Sequence, residues 1–290
     1  MISHFRRRVG VLAAVAVLAA LVPTLATSTA SAAPATTAIT ATSIDAPALF
    51  SACPASANIP SAGFTDTTDA AVDCIKYYGI TSGTTATTYS PTDSVTRWQM
   101  ALYMTRLLDV ANVTLGSGAD QGFTDISGKS AEIQTAVNQI KQAGITVGKT
   151  ATTYAPDDNV SRQEMAMFIE RMLDNLAAGP GGVTETELVS GLATTYINSN
   201  CASAAACTGK YNYSDIDSGS VTVEASNAIK ELFTLNIHDG VSATTFSPDA
   251  DMTRAAMATF LTAALAHTNV RPEGLHLQAS VYAAATATVS

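Results

Sequence analysis

Three residues recur together along this chain at fixed spacing, and a chain that repeats itself builds its core by packing copies of one unit. Gly83, Gly148 and Gly240 are each followed eight residues later by Pro91, Pro156 and Pro248. Each proline is followed six residues later by Arg97, Arg162 and Arg254. The segments between them match: Tyr89-Ser90-Pro91-Thr92-Asp93, Tyr154-Ala155-Pro156-Asp157-Asp158 and Phe246-Ser247-Pro248-Asp249-Ala250. Each copy opens on an aromatic-x-Asp step, Phe64/Asp66, Phe123/Asp125 and Tyr213/Asp215.

The spacing predicts two helices per copy. Ala71, Val72 and Ile75, then Ala136, Val137 and Ile140, then Ala228, Ile229 and Leu232 form a narrow apolar stripe at helical period on the first helix. That helix is expected to stop at Gly79, Gly144 or Asn236, residue types that tolerate the left-handed conformation past a helix end. Ile80, Ile145 and Ile237 then fold back onto the stripe. Thr96, Ser161 and Thr253 are N-caps for the second helix, directly before each arginine. Gln99 and Glu164 complete capping boxes, and Ala256 breaks the third. Met100, Met104, Leu107 and Leu108, with their counterparts Met165, Ile169, Met172 and Leu173, and Met257, Leu261, Ala264 and Leu265, form one apolar face. The methionines read as core packing rather than as a cofactor groove. One such pair is too small to bury a stable core, so the second helices are expected to pack against one another. The fold class is mainly α: one composite domain of three helix–loop–helix repeats with short irregular loops and approximate threefold symmetry.

The repeats occupy residues 63–112, 122–176 and 212–267. Arg97 to Arg162 is 65 residues and Arg162 to Arg254 is 92, and the excess lies in an insertion, 177–211, expected to hold a linker, an extra helix and a small cysteine loop. Residues 33–62 and 268–290 read as flexible extensions. Residues 1–32 read as a cleaved export signal: Arg6, Arg7 and Arg8, an apolar run from Val9 to Val22, and Ala30-Ser31-Ala32 before the cut. That run is short for the ~20 residues of a membrane span. No later stretch is apolar and long enough, so the mature protein is expected to be secreted, with no transmembrane span. Cys53, Cys74, Cys201 and Cys207 in an exported chain suggest two disulfides, and loop closure favours Cys53–Cys74 and Cys201–Cys207. A metal site fits the spacings poorly, since CxxC pairs are missing and no histidine is near.

Losing the leader's three arginines leaves 12 basic against 24 acidic residues, a formal net charge of −12. So acidic a chain carries no footprint for nucleic acid. Charged residues are only 13% of the chain, leaving a hydroxyl-rich surface suited to the cell exterior.

Aromatic-x-Asp, a helix, Gly/Asn-Ile-x-x-Gly, Tyr/Phe-x-Pro, then Thr/Ser-Arg and a helix with Met-Ala: this order resembles the S-layer homology module. It runs most clearly through Tyr154 to Glu164 and Phe246 to Met257. The resemblance covers 64–108, 123–173 and 213–265 in three tandem copies. It implies a three-pronged α-helical spindle, here of pseudo-threefold symmetry, with ligand grooves between the prongs. It also implies non-covalent anchoring of a secreted protein to the bacterial cell wall, through a secondary wall polysaccharide often bearing pyruvylated sugar. The family's Thr-Arg-Ala-Glu signature corresponds to Thr96-Arg97-Trp98-Gln99, Ser161-Arg162-Gln163-Glu164 and Thr253-Arg254-Ala255-Ala256, where only the arginine matches throughout.

The chemistry of those positions stands beside the resemblance. An arginine opening a helix lies beside unpaired N–H groups and the positive dipole end, a natural seat for carboxylate or phosphate. Asp66, Asp125 and Asp215 offer the alternative, internal partners that would tie loop to helix without any ligand. Trp98 either stacks on a sugar ring or packs internally. The candidate ligand-binding set is therefore Arg97, Arg162, Arg254, Asp66, Asp125, Asp215 and Trp98. No catalytic or metal residue and no cofactor is assigned. There is no Gly-x-Ser-x-Gly elbow or His-Glu-x-x-His site, and His238, standing where other copies have Thr81 and Thr146, reads as a surface residue. The expected partners are a cell-wall polysaccharide or other surface glycan and, beyond it, other surface proteins. The alternative function is a structural, self-assembling surface scaffold without glycan binding.

Overall fold

Local chemistry at the helix ends sets the boundaries of six α-helices among the described residues: α1 (Ala70–Tyr77), α2 (Arg97–Val110), α3 (Ala131–Gln142), α4 (Arg162–Leu173), α5 (Val223–Thr234) and α6 (Arg254–Ala266). The computed structural model describes residues 37–38, 51–54, 57–176, 213–217, 219–238, 240–268, 270–272 and 275–276. The expected leader, the insertion 177–211 and the Cys201–Cys207 pairing lie outside them. The described protein is mainly α-helical, with a 3-10 turn at Thr124–Ile126 and a two-residue parallel pairing of Thr37–Ala38 with Leu275–His276.

The caps follow the sequence. Ser161 Oγ accepts from Glu164 N at 3.3 Å while Glu164 Oε2 accepts from Ser161 N at 3.0 Å, a complete capping box. Thr253 Oγ1 accepts from Ala256 N at 3.2 Å with no acid to answer it. In the first copy Gln99 Oε1 accepts from Thr96 N at 3.0 Å, the answering half of its capping box. The first helices end in matching 6→1 bonds: Ile80 N to Ile75 O at 2.8 Å, Ile145 N to Ile140 O at 2.9 Å and Ile237 N to Leu232 O at 2.9 Å. Each bond spans a left-handed residue, with φ of 71° at Gly79, 75° at Gly144 and 58° at Asn236. The recurring Gly83, Gly148 and Gly240 have a different cause. A Cβ at Gly148 would lie 2.6 Å from the Phe123 ring, and at Gly240 2.5 Å from the Tyr213 ring, so each glycine is the floor beneath the aromatic that opens its copy.

Packing runs between copies. Each second helix lies against the first helix of another copy, α2 on α3, α4 on α5 and α6 on α1. The expected contact of second helix on second helix is present between α2 and α4 but is the smaller one. Both helices of a copy carry an apolar stripe, so pairing unlike helices buries both stripes at once. Met100, Met104, Met165, Met172 and Met257 are fully buried in one continuous apolar cluster, as core residues. Each such side chain contributes roughly 1.5–3 kcal/mol of burial.

The copies also close on one another in cyclic order through the backbone. Val95 N donates to Met252 O at 2.8 Å, Met252 N to Val160 O at 2.8 Å and Val160 N to Val95 O at 2.9 Å. On the outside, Arg106 pairs with Glu132 at 2.8 Å between α2 and α3, and Arg171 pairs with Glu224 between α4 and α5. Such exposed pairs contribute about 0–1 kcal/mol. Between α6 and α1 both partners are replaced, by Ala263 and Thr67, and Thr262 Oγ1 donates to Ala71 O at 3.3 Å.

Part of the 33–62 extension is tied down against α1. Cys53 and Cys74 form a disulfide, Ala52 is buried, and Tyr78 donates its hydroxyl to Ala52 O at 2.7 Å. Among the described residues no helix is long and apolar enough to cross a membrane.

Candidate functional site

The three arginines are buried, and each reaches into another copy. Arg97 Nε donates to Tyr154 O at 2.8 Å, Arg162 Nε to Phe246 O at 2.7 Å and Arg254 Nε to Tyr89 O at 2.6 Å. Each guanidinium lies 4.6–4.7 Å from the centre of that same ring. A second ring follows, Phe168 for Arg97, Phe260 for Arg162 and Tyr103 for Arg254. Desolvated contacts of this kind contribute about 2 kcal/mol, against the larger cost of burying a cation.

The helix-start N–H groups beside these arginines are already used, which corrects the picture of an open dipole end. Arg97 N donates to Asp158 O and Trp98 N to Pro156 O; Arg162 N to Ala250 O and Gln163 N to Pro248 O; Arg254 N to Asp93 O and Ala255 N to Pro91 O. Backbone carbonyls of the neighbouring copy stand where an anion would have stood.

The aspartates do not hydrogen-bond the arginines. Asp66 accepts from Tyr89 N at 2.9 Å and Ser90 N at 2.8 Å, Asp125 from Tyr154 N at 2.9 Å and Ala155 N at 2.7 Å, and Asp215 from Phe246 N at 3.0 Å and Ser247 N at 2.8 Å. Those N–H donors hold the Asp66 carboxyl below the usual carboxylate range. Each aspartate thus holds the N–H, and each arginine the C=O, of one aromatic residue. The clamp has a purpose. Ser90, Ala155 and Ser247 have φ of 56°, 55° and 57°, a left-handed conformation directly before proline that sterics oppose. Two charge-assisted bonds per aspartate offset that strain.

The arginines differ at their outer nitrogens. Arg97 Nη1 meets Glu164 Oε1 at 3.3 Å, and Glu164 also meets Lys149 Nζ at 2.7 Å. Burial raises the Glu164 pKa, but Lys149, the Ser161 N–H and Arg97 outweigh it and leave it lowered. Arg254 Nη1 donates to the Tyr103 hydroxyl at 2.8 Å. The outer nitrogens of Arg162 meet no hydrogen-bond partner among the described residues and are not sealed from solvent. Burial lowers the Arg162 pKa, opposed only through space by Tyr213 and Asp215. Trp98 is half-buried at the helix start next to Pro156, where the second copy has Gln163 donating to Asp249 at 2.6 Å.

His238 is buried, not a surface residue. Gly240 N donates to its Nδ1 at 3.1 Å, so Nε2 carries the proton and donates to Ile229 O at 3.0 Å. It takes over the role of the Thr81 and Thr146 hydroxyls, which accept from Gly83 N and Gly148 N. Its ring stacks on Phe260 at 5.5 Å, and burial pushes its pKa down to about 3. Sequence reasoning missed the second ring, although Tyr103, Phe168 and Phe260 each follow their arginine by six residues. It missed Glu164 as a cross-copy partner because its capping role explained it already.

This chain is similar to known proteins in the same segments. Residues 122–166 and 212–258 match the S-layer homology domain, each from the opening aromatic to the arginine-bearing helix start. An endoglucanase of Bacillus sp. (strain KSM-635) is 32% identical over 176 residues, 60% of this chain. The chain spans only 15% of the length of that relative. The matched residues are those that carry the clamp, and the first copy holds the same residue types at Phe64, Asp66, Tyr89 and Arg97. Two of the three copies, over 122–166 and 212–258, are thus matched to the S-layer homology domain family.

Proposed function

We propose that the three copies form one pseudo-threefold spindle through which this secreted protein binds the bacterial cell wall non-covalently, its ligand a secondary wall polysaccharide. S-layer homology domains anchor proteins to the cell wall and are not themselves catalytic. The observation that carries the reading is the match at two of three copies, in segments each built on a buried helix-start arginine. In this reading residues 1–32 are the export leader. Arg97, Arg162 and Arg254, with Asp66, Asp125 and Asp215, frame the grooves, and Trp98 offers a stacking face for a sugar ring. Sedimentation of the mature protein with purified sacculi tests it, before and after chemical removal of the wall polymers. Binding lost on removal supports the reading, and no binding to intact walls overturns it.

A second reading has its own support. Two of the three guanidiniums end on internal partners, Glu164 and Tyr103, as a scaffold would require. Concentration-dependent light scattering without wall binding would favour that self-assembling scaffold.

A further inference from the structure

Three seams join the copies, and the seam of α6 on α1 is built differently from the other two. It brings the last helix to the first, and the residues that hydrogen-bond across it, Thr262 and Ala71, are 191 apart in sequence. It lacks the outer ion pair of the other seams. Its first helix is also the shortest, 8 residues in α1 against 12 in each of α3 and α5. The cover on that helix is anchored in its own way. On α3 the cover is the preceding segment, where Gln139 Nε2 donates to Gly116 O at 2.9 Å and Gly118 N to Gln142 Oε1 at 3.0 Å, and α2 holds that segment from upstream. On α1 the cover is a strap, residues 51–54 and 57–62, with no helix ahead of it among the described residues. The Cys53–Cys74 disulfide supplies the missing anchor, beside the Tyr78 hydroxyl on Ala52 O and Ala62 N on Asp73 Oδ1, both at 2.7 Å. The far side of the seam meets the same place. Arg271 Nη2 donates at 3.2 Å to Ala266 O, at the end of α6. Burial pushes the Tyr78 hydroxyl pKa up, and the positive charge of Arg271 opposes it. Farther out, Leu275–His276 pair with Thr37–Ala38, upstream of the strap.

We propose that Cys53–Cys74 is a redox-operated latch on the seam between the first and third copies, and that opening it lets α6 of one chain pack on α1 of a second copy. The reaction is thiol–disulfide exchange with a dithiol reductant. Its thiolate attacks the sulfur of Cys53, which is half-buried, while Cys74 is fully buried. The S–S bond breaks with Cys74 leaving as thiolate, and the reductant's second thiol then displaces Cys53. The reductant ends as a disulfide, and its two electrons and two protons end on the two cysteines. Release of the strap removes the anchor from the seam that has no ion pair and the shortest helix. An open seam bares Val72 and Ile75 on α1 and Leu261 and Leu265 on α6, all fully buried when it is closed. The surface that fits each stripe is the other, and a second chain supplies both. Such a contact is heterologous, so it closes as a reciprocal dimer or extends as a chain of copies.

The test uses the full chain carrying Cys201→Ala/Cys207→Ala, so that dithiothreitol acts on this bridge alone, and reads amide hydrogen exchange helix by helix together with mass by light scattering. The expected result on reduction is exchange about a hundredfold faster in α1 and α6 of the monomer, the factor that closing a loop of this length implies. Exchange in α3 and α4 should change less than twofold. A species of twice the mass or more should grow with concentration, and in that fraction α1 and α6 should regain their protection. Adding Cys53→Ala/Cys74→Ala should reproduce all of this without reductant and abolish the response to it. Unchanged exchange in α1, or equal acceleration in all six helices, overturns the latch. So does loss of the helical circular dichroism in both the reduced and the substituted protein, since the bridge would then hold the whole fold rather than one seam. A protein that opens but stays monomeric, or associates with α1 and α6 still unprotected, overturns the second-copy contact. Association already complete in the oxidised protein overturns the latch and leaves the self-assembling reading standing.

Discussion

His238 makes the third copy sensitive to acid, by an amount the structure allows to be worked out. In the unfolded chain its pKa is 6.5, and in the folded protein burial holds it at about 3. The folded pKa of a base is depressed, so the folded state resists a proton that the unfolded state takes up. Stability is therefore fully present above about pH 6.5 and is lost as pH falls toward about 3. Each unit is about 1.4 kcal/mol, so near pH 5 the loss from this residue is about 2 kcal/mol. The geometry agrees in direction. A proton on Nδ1 would oppose the Gly240 N–H and place a second cation near Arg162. His238→Thr restores the residue type that Thr81 and Thr146 supply in the other copies. Its lost ring packing lowers stability at every pH, but carboxylates elsewhere titrate alike in both proteins. Urea unfolding near neutrality and near pH 5 would show wild type losing about 2 kcal/mol more than the variant. Parallel losses would refute the argument that this imidazole is held neutral by burial.

The Tyr154 hydroxyl donates to Arg97 O across copies at 2.7 Å, and Phe246 does without one at the equivalent place. Tyr154→Phe should cost about 1 kcal/mol, since the carbonyl keeps its helical partner; a denaturation midpoint that does not move would show the bond to be energetically idle. The Cys53–Cys74 bridge closes a separation of 21 residues and holds the strap on α1. The double variant Cys53→Ala/Cys74→Ala should lose about 3 kcal/mol on chain-entropy grounds. Thermal melting checks it, and an unchanged melting temperature would mean the strap contributes nothing to the α1 seam.

What could be read from the residues alone is what short-range chemistry governs. Helix starts at Thr96, Ser161 and Thr253 were legible because an N-cap answers N–H groups two or three residues away. The stops at Gly79, Gly144 and Asn236 were legible because the left-handed turn lies within the same few residues. The methionine stripe was legible as core because helical period alone shows which side chains share a face. Repetition made each of these inferences firmer, since each could be checked twice more along the same chain.

The destinations of the charged side chains were decided only in three dimensions. Arg97, Arg162 and Arg254 bond to carbonyls 57, 84 and 165 residues away, so no local spacing reports the partner. The aspartates looked like counter-ions because opposite charges attract. They instead hold the N–H groups of a strained turn, which a sequence does not display as strained. His238 looked like a loop substitution at the surface, and the rings of Phe260, Phe246 and Tyr213 that enclose it come from separate segments of the third copy. The difference between Arg162 and its two counterparts follows from what lies across a copy boundary, the Phe260 ring beside Arg162 where Arg254 meets the Tyr103 hydroxyl and Arg97 meets Glu164. Capping and periodicity act over one helical turn and can be read along a chain. Burial, pairing and the cost of an unpartnered charge depend on what the fold brings near, and only the tertiary structure states that.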